Sequence, residues 1–265
     1  MESIRNRVLI EYRQHLAIVA LNRPDKYNAL DFELMRALIE AARQLRRRRD
    51  IRAVILKAEG KAFCAGLDFA SVTRQPARIL AAFLPWLRKD NLFQRLCLAW
   101  RDLPMPVIAV THGYCFGGGF QLALGCDFRF STPDCEFSIM EIQWGLIPDM
   151  GASVTLRELV PVDVAMELSM TGRRFGAGEA LAMNLISRIE DQPLAAAEAL
   201  AEILAEQSPD AITAAKRLFK QTRHGSERRA LRRERSLQLR LLLGGNQREA
   251  MRARMEKRPA KFRPR

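Results

Sequence analysis

The 265-residue chain has no apolar run approaching the ~20 residues that a membrane-spanning helix requires. Its first residues, MESIRNRVLIEYRQ, contain neither a long apolar stretch nor a small-residue cleavage site. No signal peptide is expected from them, and a cytoplasmic location follows as the expectation. The five cysteines, Cys64, Cys97, Cys115, Cys126 and Cys135, are odd in number and form no C-x-x-C pair. That argues against a disulfide framework and a structural zinc site, and for a reducing compartment. Only three histidines occur, His15, His112 and His224, scattered along the chain. Nothing in the sequence places a carboxylate or a nucleophile beside any of them, so neither a metal site nor a Ser/His/Asp triad is expected. The glycine-rich stretch at 117–119 lacks the G-K-[ST] of a P-loop. It also fails the dinucleotide pattern G-x-G-x-x-G, because Leu122 stands where the last glycine belongs.

What is present reads as a folded enzyme-sized chain. Apolar residues make up 48% and charged residues 28%, a globular balance, and the length suffices for a large core. The net charge of +13 is unevenly distributed. Residues 216–265 carry 18 Lys/Arg against 4 Asp/Glu, whereas residues 1–215 carry 25 against 26. The basicity therefore belongs to the C-terminal tail. A basic stripe suits phosphate, whether of nucleic acid or of a cofactor, but equally a solvated helix face or one pairing with an acidic neighbouring subunit.

Apolar periodicity predicts buried strands at 16–21, 53–57 and 107–110 and a short strand at 128–130. Asp31 is a plausible N-cap for a helix whose apolar residues Leu34, Leu38, Ala41, Ala42 and Leu45 recur at helical spacing. Residues 77–103 read as mostly helical with an interruption near Pro85, and a helix is expected over 120–125. Strands alternating with helices imply an α/β core with parallel pairing. From about residue 193 the pattern becomes helical only, over 195–207, 209–222, 226–243 and 247–257, broken at Gly244 and Gly245. The expected division is a core domain over 1–192 and a basic helical region over 193–265. With little core of its own, that region is expected to pack on the rest of the protein or on another subunit.

Two glycine turns each follow an apolar strand: KAFCAGLD at 61–68 and GYCFGGGFQLALGCD at 113–127. Glycine lets the backbone approach a ligand and aim N–H groups at it. Two such turns can direct two donors at one developing oxyanion. In the first turn the N–H to watch is that of Leu67; in the second, the three glycines open a helix whose first N–H groups are unpaired. Each turn taken alone also reads as ordinary punctuation. Cys64 reads as a small buried thiol sooner than as a nucleophile. A third segment, MEIQWGLIPDMG, places Glu141 and Asp149 eight residues apart among apolar neighbours. Apolar surroundings raise a carboxyl pKa toward the range useful for proton transfer, and two carboxyls can divide the work. The plainer alternative is that Glu141 bonds backbone and Asp149 starts a helix after Pro148.

Taken in order, NRPDKYNAL, GKAFCAGLD, GYCFGGGFQLALGCDFRF, FSIMEIQWGLIPDMGA, TGRRFGAGEALAMNLISRI and EKRPAKF resemble the enoyl-CoA hydratase/isomerase, or crotonase, superfamily over about residues 15–262. The resemblance implies an α/β fold, a crotonase-like spiral of ββα units with a C-terminal helical trimerisation region. It also implies homotrimers or hexamers, acyl-CoA substrates, no metal and no cofactor, coenzyme A being part of the substrate. Position by position, it implies an oxyanion hole from the backbone N–H groups of Leu67 and Gly118. Hydratases of the family carry two glutamates; one corresponds to Glu141, but Gln121 occupies the other position. Glutamine exchanges no proton near neutral pH, so the implied hydratase pair is broken. The dienoyl-CoA isomerase branch carries a glutamate and, eight residues on, an aspartate, which Glu141 and Asp149 match, although that branch has an aspartate at Gln121. Ala152, Ser153 and Val154 replace the commoner G-x-T-Q run and imply an altered acyl pocket. For coenzyme A, Lys257 matches a C-terminal lysine of the family, with Arg254 in place of an aromatic residue, and the KYN of the early turn, Lys26 to Asn28, lies where the family runs close to the coenzyme A moiety. Ala65, Asp68 and Gln121 are taken as further substrate contacts. The favoured expectation is double-bond isomerisation by Glu141 and Asp149. The alternatives are 2-enoyl-CoA hydration, a non-catalytic acyl-CoA binder, and nucleic-acid binding through the basic tail.

Overall fold

In the computed structural model, which describes residues 1–83 and 89–265, the chain opens with β1 (Glu2–Ile4), β2 (Val8–Arg13) and β3 (Leu16–Leu21), an antiparallel meander. There follow α1 (Phe32–Arg47), β4 (Ala53–Ala58), α2 (Phe69–Val72), α3 (Pro76–Phe83), α4 (Leu92–Arg101), β5 (Val107–Thr111) and β6 (Tyr114–Phe116). Then come α5 (Gly118–Leu124), β7 (Phe128–Ser131), β8 (Glu136–Ser138), α6 (Ala152–Leu159), α7 (Val162–Thr171), β9 (Arg174–Gly176), α8 (Ala177–Ala182) and β10 (Arg188–Ile189). The chain closes with α9 (Pro193–Ala205), α10 (Pro209–Thr222), α11 (Glu227–Leu242) and α12 (Gly245–Met255). The seven-stranded sheet runs β1-β2-β3-β4-β5-β7-β10, parallel from β3 onward. A small second sheet pairs β6 with β8 in parallel and β8 with β9 antiparallel.

The strand sequence LAIVAL is apolar throughout because both faces of the sheet are covered. Successive side chains point to opposite faces. Ala17, Val19 and Leu21 join the main core with Leu34, Met35, Leu38 and Leu45 of α1 and Trp100 of α4. Ile18, with Ile55, Ile108, Val110 and Phe130, forms a second cluster sealed by Ala197 and Ala201 of α9. The change to helices alone after residue 192 is thus a change in element type, and α9 itself packs on the sheet. Asp31 caps α1, its side chain accepting the Leu34 N–H at 2.6 Å.

Several boundaries differ from the sequence reading. Strands β6, β8, β9 and β10, of two or three residues each, are too short to show a period. Helix α5 starts at Gly118 rather than 120, and α6 starts at Ala152 after Gly151 in the left-handed region, not at Asp149. The expected interruption at Pro85 lies outside the described residues; α4 is started instead by a capping box between Asn91 and Gln94.

Helix α10 is tied to the sheet by charge. Lys216 Nζ donates to Asp127 Oδ2 at 2.6 Å and to the Met105 carbonyl at 2.8 Å, and Lys220 pairs with Asp127 Oδ1 at 3.0 Å. The side chains of Lys216 and Asp127 are only 9% and 12% exposed. Asp127→Ala strands a buried ammonium and frees the Val107 N–H that Asp127 also holds at 2.8 Å. Breaking a buried pair from one side typically costs ~3–5 kcal/mol. Guanidinium unfolding is expected to show a loss of that size, and a loss below ~1 kcal/mol contradicts this account of the anchor.

Candidate active site

The two glycine turns, some fifty residues apart in sequence, lie side by side in the structure. Phe63 N–H donates to the His112 carbonyl, Cys64 N–H to that of Tyr114, and Phe116 N–H to that of Cys64, each at 2.9 Å. This short parallel ladder aligns the ends of the two loops. Gly119 makes the contact close: a Cβ there would lie 2.5 Å from the Cys64 Cβ and 2.8 Å from its carbonyl oxygen. Gly66 turns the first loop at φ +97°, a conformation side-chain-bearing residues rarely adopt.

Around Leu67 the backbone is fixed on both sides. Leu30 N–H donates to the Gly66 carbonyl at 2.8 Å and Asp68 N–H to the Leu30 carbonyl at 3.1 Å. Gly117 N–H is taken by the Ser138 carbonyl at 2.9 Å, and Gly118 is the first residue of α5. Among the described residues, no protein acceptor takes the N–H of Leu67 or of Gly118. Two unclaimed donors thus sit on adjoining loops, which is the requirement for stabilising an oxyanion.

The carboxyl groups arrive from the strand that flanks the second loop. β8 leads into a 3₁₀ turn over Glu141–Trp144. Glu141 Oε1 accepts the Gln121 Nε2–H at 2.6 Å, and Gln121 Oε1 accepts the Met150 N–H at 2.9 Å. One glutamine amide therefore joins the segment bearing Glu141 to the loop bearing Asp149. The sequence reading took Gln121 as a substrate contact. In the structure Gln121 is 1% exposed, and its amide is engaged at both ends, by Glu141 and by the Met150 N–H. Glu141 Oε2 is shielded from water and has no partner. Burial raises the pKa of Glu141 against the hydrogen bond from Gln121, and the nearby Asp149 raises it further. Burial likewise raises Asp149. Both carboxyls titrate above their ordinary range.

Other predicted site residues take different places. Cys64 is fully buried, and burial pushes its thiol to about 12, so it is no nucleophile at neutral pH. Ala65 donates its N–H to the Tyr27 carbonyl at 2.9 Å. Lys26, Tyr27, Asp68 and Arg74 line a cleft of about 660 Å³ beside the first loop. The Asp68 carboxylate, however, is committed to Arg23 at 2.8 Å and to the Ser71 N–H at 3.0 Å, where it caps α2. Lys257, beyond α12, does not line that cleft.

Sequence reasoning missed two supports of the site. Asn28, fully buried at φ +54°, donates to the carbonyls of Glu59 and Ala62 at 2.8 Å and accepts the Arg23 N–H at 2.8 Å. The turn NRPDKYNAL carried the available signal, since asparagine tolerates left-handed backbone. Trp144 stacks on Phe69 with centroids 4.0 Å apart, joining the 3₁₀ turn to the start of α2. No local pattern announces that pair.

A family model described as enoyl-CoA hydratase/isomerase matches residues 11–265. The chain is 37% identical over 216 residues to the mitochondrial Delta(3,5)-Delta(2,4)-dienoyl-CoA isomerase of Mus musculus, a match covering 77% of this chain and 65% of the length of that relative. It is 33% identical over 256 residues to the enoyl-CoA hydratase EchA19 of Mycobacterium tuberculosis, covering 96% of this chain and 95% of the relative. A crystal structure of enoyl-CoA hydratase from Bacillus anthracis superposes with a TM-score of 0.88 at 27% identity, over 97% of this chain and 98% of that one. The crotonase-like α/β fold expected from the sequence is the fold of these neighbours.

Proposed function

The chain belongs to the enoyl-CoA hydratase/isomerase family, and from that premise we propose that it moves a double bond within an enoyl- or dienoyl-CoA thioester. The observation that carries this reading is the pairing of two desolvated carboxyls, Glu141 and Asp149, with a glutamine at position 121 that exchanges no proton. In the proposed reaction one carboxylate removes a proton from a carbon of the acyl chain. The electron pair passes into the conjugated system, and the thioester oxygen becomes an enolate oxygen held by the N–H groups of Leu67 and Gly118. The other carboxyl returns a proton at a different carbon, and the thioester carbonyl re-forms. No atoms are gained and no electrons are lost. The Gln121 N–H donated to Glu141 favours its ionised form, which supports Glu141 for the abstraction and Asp149 for the return.

Absorbance and mass read together on a panel of enoyl- and dienoyl-CoA thioesters test the proposal. Isomerisation changes the chromophore at constant mass, whereas hydration adds one water. Robust water addition to a short 2-enoyl-CoA without isomerisation overturns the reading in favour of a hydratase, the activity named for several relatives.

Gln121→Leu probes the amide that joins the two segments. It leaves the Met150 N–H and Glu141 Oε1 without partners, a cost of about 1–3 kcal/mol in stability for each buried group. Removing a hydrogen bond to the ionised form raises the Glu141 pKa further. The acid limb of the pH–rate profile is therefore expected to move to higher pH, and an unmoved limb contradicts the assignment of Glu141 as base.

Assembly through the helical tail is part of the same proposal. Leu231, Leu239, Leu242 and Leu243 of the α11 region and Met251 and Met255 of α12 are exposed in the single chain, which supports association of copies. Light scattering of the purified protein at a monomer mass speaks against it.

A further inference from the structure

Behind the loop that carries Asp149 lies a cleft of about 910 Å³ between α4, α6, α10 and α11. Two of its lining residues are apolar. Leu98 lines it, and the same side chain packs against Gly151, two residues beyond Asp149; a Cβ on Gly151 would lie 3.2 Å from it. Val154 also lines it, and its N–H is bound to the Gly151 carbonyl at 3.0 Å. Most of the charged lining is cationic, including Lys89, Arg101, Arg157, Arg229 and Arg233, beside two carboxylates, Asp102 and Glu158. Arg101 pairs with Glu158 and lies 3.8 Å from Asp102. Among the described residues, the other four have no carboxylate within ion-pair distance. The Nε atoms of Arg101 and Arg233 are moreover shielded from water and have no acceptor. Unpaired cations gathered in one cleft repel each other, and a shielded guanidinium N–H without an acceptor is costly; an anion bound there relieves both.

A lining that combines apolar side chains packed behind the Asp149 loop with arginines matches an acyl chain ending in a negative charge. We propose that this cleft receives the distal end of the acyl group, and that the substrate is an acyl-CoA whose chain ends in a carboxylate. The inference rests on reading the site as an acyl-CoA site. It adds a substrate class, with Arg157 and Arg233 as the residues that select it.

The test is calorimetric binding of saturated acyl-CoA pairs matched in chain length, one ending in a methyl group and one in a carboxylate, at fixed salt. The full chain is compared with an Arg157→Gln/Arg233→Gln variant. The carboxylate-ended analogue is expected to bind the unaltered protein about ten- to a hundredfold more tightly. In the variant that preference disappears while binding of the methyl-ended analogue is unchanged, which also reports an intact fold. Arg157→Glu, a single change at the exposed rim, is expected to reverse the preference. Equal binding of the two analogues by the unaltered protein overturns the proposal, as does a preference that survives the double substitution. Failure to bind either analogue instead removes the acyl-CoA reading itself. Salt-dependent binding of a single-stranded RNA, lost in the variant and unaccompanied by any carboxylate preference, overturns the proposal in favour of nucleic acid.

Discussion

Glu141→Gln is expected to lower turnover of a dienoyl-CoA substrate by about 10²–10⁴-fold while leaving KM and the unfolding midpoint nearly unchanged. The substitution preserves shape. The new amide oxygen still accepts the Gln121 N–H that Glu141 Oε1 accepts at 2.6 Å, so the link through Gln121 to the Met150 N–H persists. What disappears is the ability to take a proton, because a glutamine side chain does not titrate near neutral pH. Steady-state kinetics on the conjugated thioester measure the effect, and a loss smaller than tenfold removes Glu141 from the proposed mechanism. The pH dependence supplies a second check. Burial holds both Glu141 and Asp149 above the ordinary carboxylate range. One must be ionised and the other protonated for the reaction to proceed. The profile of kcat/KM is therefore expected to be bell-shaped, and its rising limb should lie at higher pH than an exposed carboxylate gives. Asp149→Asn should abolish the falling limb together with most of the rate.

Gly119→Ala is expected to reduce turnover by about 10²-fold or more without removing any titrating group. Gly119 is where the two loops touch. A methyl group there would meet the Cys64 Cβ at 2.5 Å, its Sγ at 2.7 Å and its carbonyl oxygen at 2.8 Å. The sulfur sits on a stiff, fully buried side chain, and the carbonyl belongs to backbone that accepts the Phe116 N–H. The clash can be relieved only by moving one loop away from the other. That motion separates the N–H of Leu67 from that of Gly118, and donors misplaced by about 1 Å lose much of their effect. Overpacking of this kind also costs about 1–3 kcal/mol in stability. The two readouts divide the effect: kcat falls far more than binding of a saturated acyl-CoA, because the oxyanion forms only during reaction. Unimpaired kcat in the Gly119→Ala variant places the oxyanion donors elsewhere.

Much of this site was legible along the chain. The glycine turns, their position after apolar strands, and the carboxyls of MEIQWGLIPDMG all depend on residues within a few positions of one another. Asp31 as a cap and residues 209–222 as a helix follow from equally local rules, and both are found where they were read. The very short strands were not legible, because two or three residues carry no period and are held by their partners. Gln121 shows the limit most clearly. Its position marked it as a departure from the hydratase pair, but its two hydrogen-bond partners could not be read from it. Whether an amide faces substrate or bridges two segments depends on what stands 20 and 29 residues away in the chain.

By itself, then, the amino-acid sequence determined that this is an α/β chain with two N–H-bearing glycine loops, two carboxyls in apolar company and a basic helical tail. These properties arise from hydrophobic period, backbone freedom and charge, which neighbouring residues decide. Only the tertiary structure decided that the loops abut through Gly119 and Cys64, that Gln121 binds Glu141 and the Met150 backbone at once, and that tail arginines converge with Leu98 and Val154 on one cleft. Each of these joins segments far apart in sequence. Their meeting is set by sheet order and core packing, which no local spacing records.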